Sequence, residues 1–197
     1  MKIILFEGTD YSGKTSVAKA LAARDQTGTY YHSPSGSTDT THALYEILKS
    51  GAPDINVDVK LLLMLAANVL GINAMNSLKM VHNQNVYVDR SILSMLVYQS
   101  VPIVMYNDLS KIFTIPTLDV DHVFLFTADT ETLMHRFRTR TNKDNLDDFF
   151  MKHLYDICKR YQDLTTYIYP KEKVTVVDTS NRTVEDTIEY CAGVIKS

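Results

Sequence analysis

The stretch FEGTDYSGKTS, residues 6–16, stands directly after the apolar run KIIL. Within it Gly8, Gly13, Lys14 and Thr15 satisfy the spacing G-x-x-x-x-G-K-[ST]. Glycines at those places let the backbone curl so that several N–H groups point inward at one anion. The spacing carries that meaning only between a strand and a helix. Both are present. KIILF (2–6) is short, β-branched and bounded by Gly8, and Lys14–Ala23 is rich in Ala and Leu. The start of the chain reads as strand, phosphate-binding loop and helix.

Runs of the same strand-like form recur at NVYVD (85–89), HVFLF (122–126) and VTVVD (174–178), with TYYHS (29–33) as a weaker fifth. Few charges interrupt them, as in strands covered on both faces of a parallel sheet. Helical stretches fill the gaps: Thr40–Lys49, Val57 to about Met80, Ser91–Tyr98, Thr130–Arg140, Leu146–Tyr167 and Val184–Ile195. Asp129 and Thr183 stand at N-cap positions, each with Glu in the following turn. The alternation predicts one α/β domain over residues 1–197. It has three layers, with a five-stranded parallel sheet flanked by helices and right-handed crossovers. KSGAPDIN (49–56) reads as a helix–helix connection, and RTRTNKDNLDD (138–148) as part of a small lid over about 136–148.

Composition narrows the function classes. The 197 residues are 45% apolar and 22% charged, with a formal net charge of −3. That balance gives no long-range attraction to nucleic acid or to an anionic membrane. Cys158 and Cys191 are far apart, which excludes a disulfide framework or a CxxC metal site. The apolar stretch LLLMLAANVLGINAM (61–75) is interrupted by Asn68 and Asn73. It is shorter than the roughly 20 residues that span a bilayer, so it is expected to be a buried core helix. With no targeting segment legible, the expected compartment is the cytoplasm, of an infected cell if the gene is viral.

A loop of this kind holds the phosphates of a nucleoside triphosphate, here ATP. Lys14 reaches the β- and γ-phosphates, and the Thr15 hydroxyl ligates Mg²⁺. Tyr11, Ser12 and Ser16 complete the cradle with Gly8 and Gly13. The helix N-terminus adds about half a positive charge. The bland alternative is a glycine-rich turn without a ligand. No N-K-x-D guanine motif follows, which argues against a GTPase.

The third strand ends in VDRSILSMLVYQ (88–99). Taken with FEGTDYSGKT and DNLDD, this string resembles the thymidylate kinase family of nucleoside monophosphate kinases. Its members carry F-E-G-x-D-x-x-G-K-[ST], then D-R-[YH] with a following Ser and Tyr-Gln, then an arginine-bearing lid with an acidic end. SPSGSTDTTHALYEIL (33–48) and VVDTSNRTVED (176–186) are similar to the segments after the second and last strands, so the resemblance runs almost the full length.

The resemblance implies a P-loop kinase fold and a role for each residue. Asp10 approaches the acceptor sugar, and Asp89 stands near Mg²⁺ through water. Arg90 binds the acceptor phosphate. Leu65, Asn68, Ser94 and Tyr98 line the acceptor pocket. Arg136, Arg138 and Arg140 are the lid arginines, with Arg136 and Arg140 taken as catalytic. Asp144 and Asp147 close the lid, Asp147 towards the substrate, and Asn181 belongs to the adenine side. A homodimer packed through the mid-chain helices is also implied, with Leu61, Leu62, Leu65 and Val69 compatible with it.

The chain departs from that pattern on the acceptor side. YHSPSGST has no arginine where the family carries R-E-P-G-G-T or F-P-x-R. Val69 stands where an A-D-R or A-N-R string has its arginine, and Ser91 replaces the D-R-Y tyrosine. Four readings stay open. The leading one is transfer of the ATP γ-phosphate to a deoxynucleoside monophosphate, dTMP first. The second is a deoxynucleoside kinase, whose E-R-S string resembles DRS, or a kinase for a modified viral nucleotide. The third is a nucleotide-binding module without catalysis, and the fourth a small-metabolite kinase.

Overall fold

The computed structural model describes residues 2–36, 38–50, 55–81, 84–141 and 150–196. In chain order the elements are β1 (Ile3–Gly8), α1 (Lys14–Arg24), β2 (Thr29–His32), α2 (Asp39–Lys49), α3 (Val57–Val81), β3 (Val86–Asp89), α4 (Ile92–Tyr98), α5 (Ile103–Phe113), β4 (His122–Thr127), α6 (Thr130–Thr139), α7 (Leu154–Ile168), β5 (Val174–Asp178) and α8 (Val184–Lys196). The strands form one sheet in the order β2-β3-β1-β4-β5. Each adjacent pair is parallel, with Phe6 level with Asp89 on one side of β1 and with Phe124 on the other.

Every residue of β1 and β3 is buried, as their uninterrupted apolar runs require. Successive side chains point to opposite faces. Ile3, Leu5, Val86, Val88, Val123 and Leu125 pack under α3, α4 and α7 with Met75, Leu93 and Tyr161. Ile4, Phe6, Tyr87, Phe124 and Phe126 face α1 and α8 with Val17, Leu21, Ile188 and Cys191. Phe6 anchors the second face, with ring centroids 5.5 Å from Phe124 and 6.0 Å from Phe126. The weak fifth strand is real, and half-exposed because it lies at an edge.

The caps fall where expected. Asp129 accepts from the Thr132 N–H at 2.7 Å, and Thr183 from the Asp186 N–H at 3.1 Å. Three expectations change. Helix α5 was not anticipated. Its sequence, IVMYNDLSKIF, packs Ile103, Tyr106 and Leu109 inward and leaves Val104, Met105, Ile112 and Phe113 exposed, so apolar residues lie on both sides of it. The helix expected over Leu146–Tyr167 is α7, preceded by helical residues at 150–152 and a break at His153. Helix α3 is longer than residues 61–75, and Val57–Ser77 has the length and hydropathy of a membrane span. It is not a fully buried core helix, since only 28% of that stretch is buried. Leu65, Ala67, Ile72 and Met75 face inward, while Val57, Val59, Leu62 and Leu70 are exposed.

Candidate active site

The carboxyl ends of the strands gather the candidate residues at the top of the sheet, where ligands bind in open α/β folds. The loop after β1 is built as its glycines require. Gly8 has φ 134°, and a Cβ there would lie 2.1 Å from the Phe126 carbonyl oxygen. Gly13, at the N-cap of α1, has φ 87° and open space on its Cβ side. Tyr11 holds a left-handed φ of 64°. Its ring sits at 5.6 Å from Phe137 and 5.5 Å from Phe150, with the Arg140 guanidinium 5.5 Å from its centroid. Arg140 therefore meets the loop through Tyr11.

Lys14 is buried, and its ammonium donates to the Thr9 carbonyl at 3.2 Å. Burial first, then the nearby Arg90, pushes its pKa below the ordinary lysine value. Ser12 is buried, with its hydroxyl on the Thr9 carbonyl at 2.7 Å. Ser16 is exposed in the first turn of α1. The Thr15 hydroxyl donates to Asp89 Oδ2 at 2.6 Å. Asp89 is fully buried, and among the described residues its Oδ1 has no hydrogen-bond partner.

Arg90 follows β3 with φ 72°. It donates to Asp10 Oδ1, and its guanidinium lies 5.3 Å from the Tyr98 ring centroid. Tyr98 donates to Asp10 Oδ2 at 2.7 Å and accepts from the Asp10 N–H at 3.1 Å. The second cation, Lys14, stands 3.6 Å from Asp10 Oδ1. Burial raises the Asp10 pKa, but Arg90, Lys14 and Tyr98 outweigh it and hold the carboxylate well below the usual range. Burial also works against the Arg90 charge, and Asp10 more than offsets it, so the guanidinium stays protonated.

Behind Arg90 lies a buried polar relay. Glu7 accepts from Ser91 at 2.6 Å and from Ser94 at 2.7 Å. Ser91 is hydrogen-bonded to the Tyr169 hydroxyl at 3.1 Å, and Ser94 to that of Tyr161 at 2.8 Å. Arg90 donates to Ser94 and Tyr161 at 3.4 and 3.5 Å. Ser94 thus spends its hydroxyl inside the protein. Leu65 packs against Ile92, Met95 and Leu96 of α4. Asn68 is buried, donates to the Met64 carbonyl at 2.8 Å, and has an Oδ1 without a partner among the described residues.

Arg136 projects from α6 across the loop. It donates to the Tyr11 carbonyl and the Thr179 hydroxyl at 3.0 Å each, and to the Thr179 carbonyl at 2.8 Å. A cleft of about 170 Å³ opens beside it, lined in part by Gly13, Val17, Arg182 and Thr183. Asn181 is exposed in the turn that contributes Thr179 and Arg182 to this cleft. Asp144, Asp147 and the lid beyond residue 141 lie outside the described residues.

Sequence reading assigned no role to Glu7, Tyr161 or Thr179. Glu7 stood inside the F-E-G string and was the one most open to notice. Thr179 stands in the VVDTSNRTVED segment beside Asn181, while Tyr161 lies in no motif and reaches the site only through the fold.

Comparison with known proteins agrees with this architecture. A family model described as thymidylate kinase matches residues 6–189. A "Probable thymidylate kinase" of Methanocaldococcus jannaschii is 31% identical over 195 residues, covering 98% of this chain and 95% of the relative. The structure of a thymidylate kinase from Candida albicans superposes with a TM-score of 0.74 at 18% identity, covering 99% of this chain and 91% of the other. That from Ehrlichia chaffeensis gives 0.72 at 17% identity, covering 100% and 98%. By the family model and the 31% identical relative, the chain belongs to the thymidylate kinase family of phosphate-transferring enzymes.

Proposed function

We propose that the protein transfers the γ-phosphate of ATP to dTMP, giving ADP and the nucleoside diphosphate, as one domain, in the cytoplasm. The carrying observation is Arg90. It is held from both sides, by Asp10 and Tyr98 in front and by Ser94 and Tyr161 behind. A guanidinium so fixed suits a second phosphate, because its planar fork binds oxygens bidentately.

The chemistry agrees. An oxygen of the dTMP phosphate attacks the γ-phosphorus in line, and the bond from that phosphorus to the β–γ bridging oxygen breaks as ADP leaves. The attacking oxygen is already anionic, so no general base is needed. Lys14 and the loop N–H groups hold the donor phosphates, and Arg90 the acceptor. Asp10 engages both cations in the free protein and keeps them in register. Arg136, fully engaged with Tyr11 and Thr179, fits support of the ATP-side cleft, with Asn181 at its edge. Leu65, Asn68 and Tyr98 are assigned to the nucleoside, with Asp147 and Arg140 to the closing lid.

Thr15 and Asp89 fit a Mg²⁺ site: a hydroxyl in the first turn of α1 faces a buried carboxylate with one oxygen unpartnered among the described residues. Among the described residues no cluster of three metal-binding side chains exists. That suits a cation held mainly by substrate phosphates and water. When bound, Mg²⁺ supplies positive charge at the β- and γ-phosphate oxygens. The exposed apolar residues of α3, among them Leu62 and Leu70, support a homodimer.

The test is ATP turnover with dTMP and, separately, with thymidine, using Lys14→Ala as the blank. Turnover of dTMP is expected. Activity on thymidine alone would move the protein to the nucleoside kinases.

A further inference from the structure

The metal side of the cleft has a partner that no motif announces. Tyr30 lies on the edge strand β2, level with Tyr87 on β3, as His32 is with Asp89. Side-chain alternation sends Tyr30 to the same face as Asp89. Its hydroxyl donates to Asp89 Oδ2 at 3.0 Å, the oxygen that also accepts from Thr15 at 2.6 Å. Both donors use one oxygen, and the buried Oδ1 has no partner among the described residues. The Tyr30 ring is held as well, with the Lys19 ammonium 5.3 Å from its centroid. Lys19 follows Thr15 by one helical turn, so one face of α1 supports both donors.

We propose that Tyr30 is a positioning residue of the phosphotransfer site: with Thr15 it occupies Asp89 Oδ2 and so would leave Oδ1 alone to serve the water shell of a divalent cation. A carboxylate free to rotate would offer either oxygen, and two donors on one oxygen remove that freedom. The inference rests on the reading of Asp89 as a residue of the Mg²⁺ site.

The experiment compares wild type, Tyr30→Phe and Asp89→Asn, all near-isosteric, with Mn²⁺ as the probe. Free Mn²⁺ is counted by electron paramagnetic resonance at saturating ATP, and ATP affinity is measured separately in EDTA. For Tyr30→Phe the Mn²⁺ affinity is expected to fall about tenfold, as for loss of an outer-shell partner, while metal-free ATP affinity holds. The Mg²⁺ concentration for half-maximal turnover should rise in step. Loss of Mn²⁺ affinity in Asp89→Asn but not in Tyr30→Phe would overturn the role of Tyr30 alone. Unchanged Mn²⁺ affinity in both would overturn the reading of Asp89 as well. Equal loss of metal-free and metal-bound affinity in Tyr30→Phe would mark a merely structural residue and also overturn the proposal.

Discussion

Arg90 donates to Asp10, tying the end of β3 to the loop after β1. The same carboxylate stands 3.6 Å from Lys14, so one anion sets the positions of both cations. Arg90→Lys keeps the charge and loses the fork. Each charge-assisted contact contributes about 1.5–3 kcal/mol, which converts to a roughly 10- to 150-fold fall in kcat/KM for dTMP. KM for ATP should stay within about twofold, because Lys14 and the loop are untouched. Steady-state kinetics with both substrates varied checks this.

The two loop glycines should differ in what they break. At Gly8 a methyl group would meet the Phe126 carbonyl oxygen at 2.1 Å, and φ is 134°. Gly8→Ala is expected to cost about 3 kcal/mol or more, a Tm loss of roughly 6–12 °C. Gly13 has open space on its Cβ side, so Gly13→Ala meets strain from φ 87° alone. Its stability cost should be about 1 kcal/mol, with a larger effect on ATP affinity. Thermal melts and ATP titrations on both variants separate the cases.

Arg136→Met removes three hydrogen bonds that hold Tyr11 and Thr179 beside the ATP-side cleft. KM for ATP should rise about tenfold and KM for dTMP should not move. A fall in kcat of about 10²–10³ with KM for ATP unchanged would instead place the guanidinium on the transferring phosphoryl group.

Glu7 links stability to pH. Burial raises its carboxyl pKa above the ordinary 4.5, and the two serine hydroxyls only partly oppose that. The native chain therefore holds this proton more tightly than the unfolded chain. The stabilising contribution is complete below pH 4.5 and is lost as pH rises through the native value. Gln has no proton to lose. Melting temperatures of Glu7→Gln, relative to wild type, should improve as pH rises from about 4.5 through the raised native value. A flat difference would show that the carboxyl is not shifted.

What could be read in the sequence was what local spacing encodes. The loop, its helix and the Asp89–Arg90 pair at a strand end each lie within a few residues, and the fold places them as the spacing requires. Glu7 was visible as a letter, but its partners Ser91 and Ser94 are 84 and 87 residues away, and no periodicity reports such a contact. Tyr161 reaches Arg90 from 71 residues along the chain. Ser94 had the opposite fate. Its motif pointed to the nucleoside, and the structure turns its hydroxyl to Glu7 and Tyr161. Helix α5 escaped because apolar residues lie on its outward face as well as its inward one, which blurs the period that betrays a helix.

The alternation of side chains along the central strands also divides labour. Tyr30 and Asp89, in phase with Tyr87, emerge on the face of α1, beside Thr15. Glu7, in phase with Ile3 and Leu5, emerges beneath α4 and α7, where Ser91 and Ser94 meet it. The sheet is thus a partition between two polar clusters, and the parity of a residue's position decides which one it joins. A single-residue insertion within β3 would send Asp89 through to the face of α4 and α7, away from the hydroxyl of Thr15, while leaving the chain's composition almost untouched.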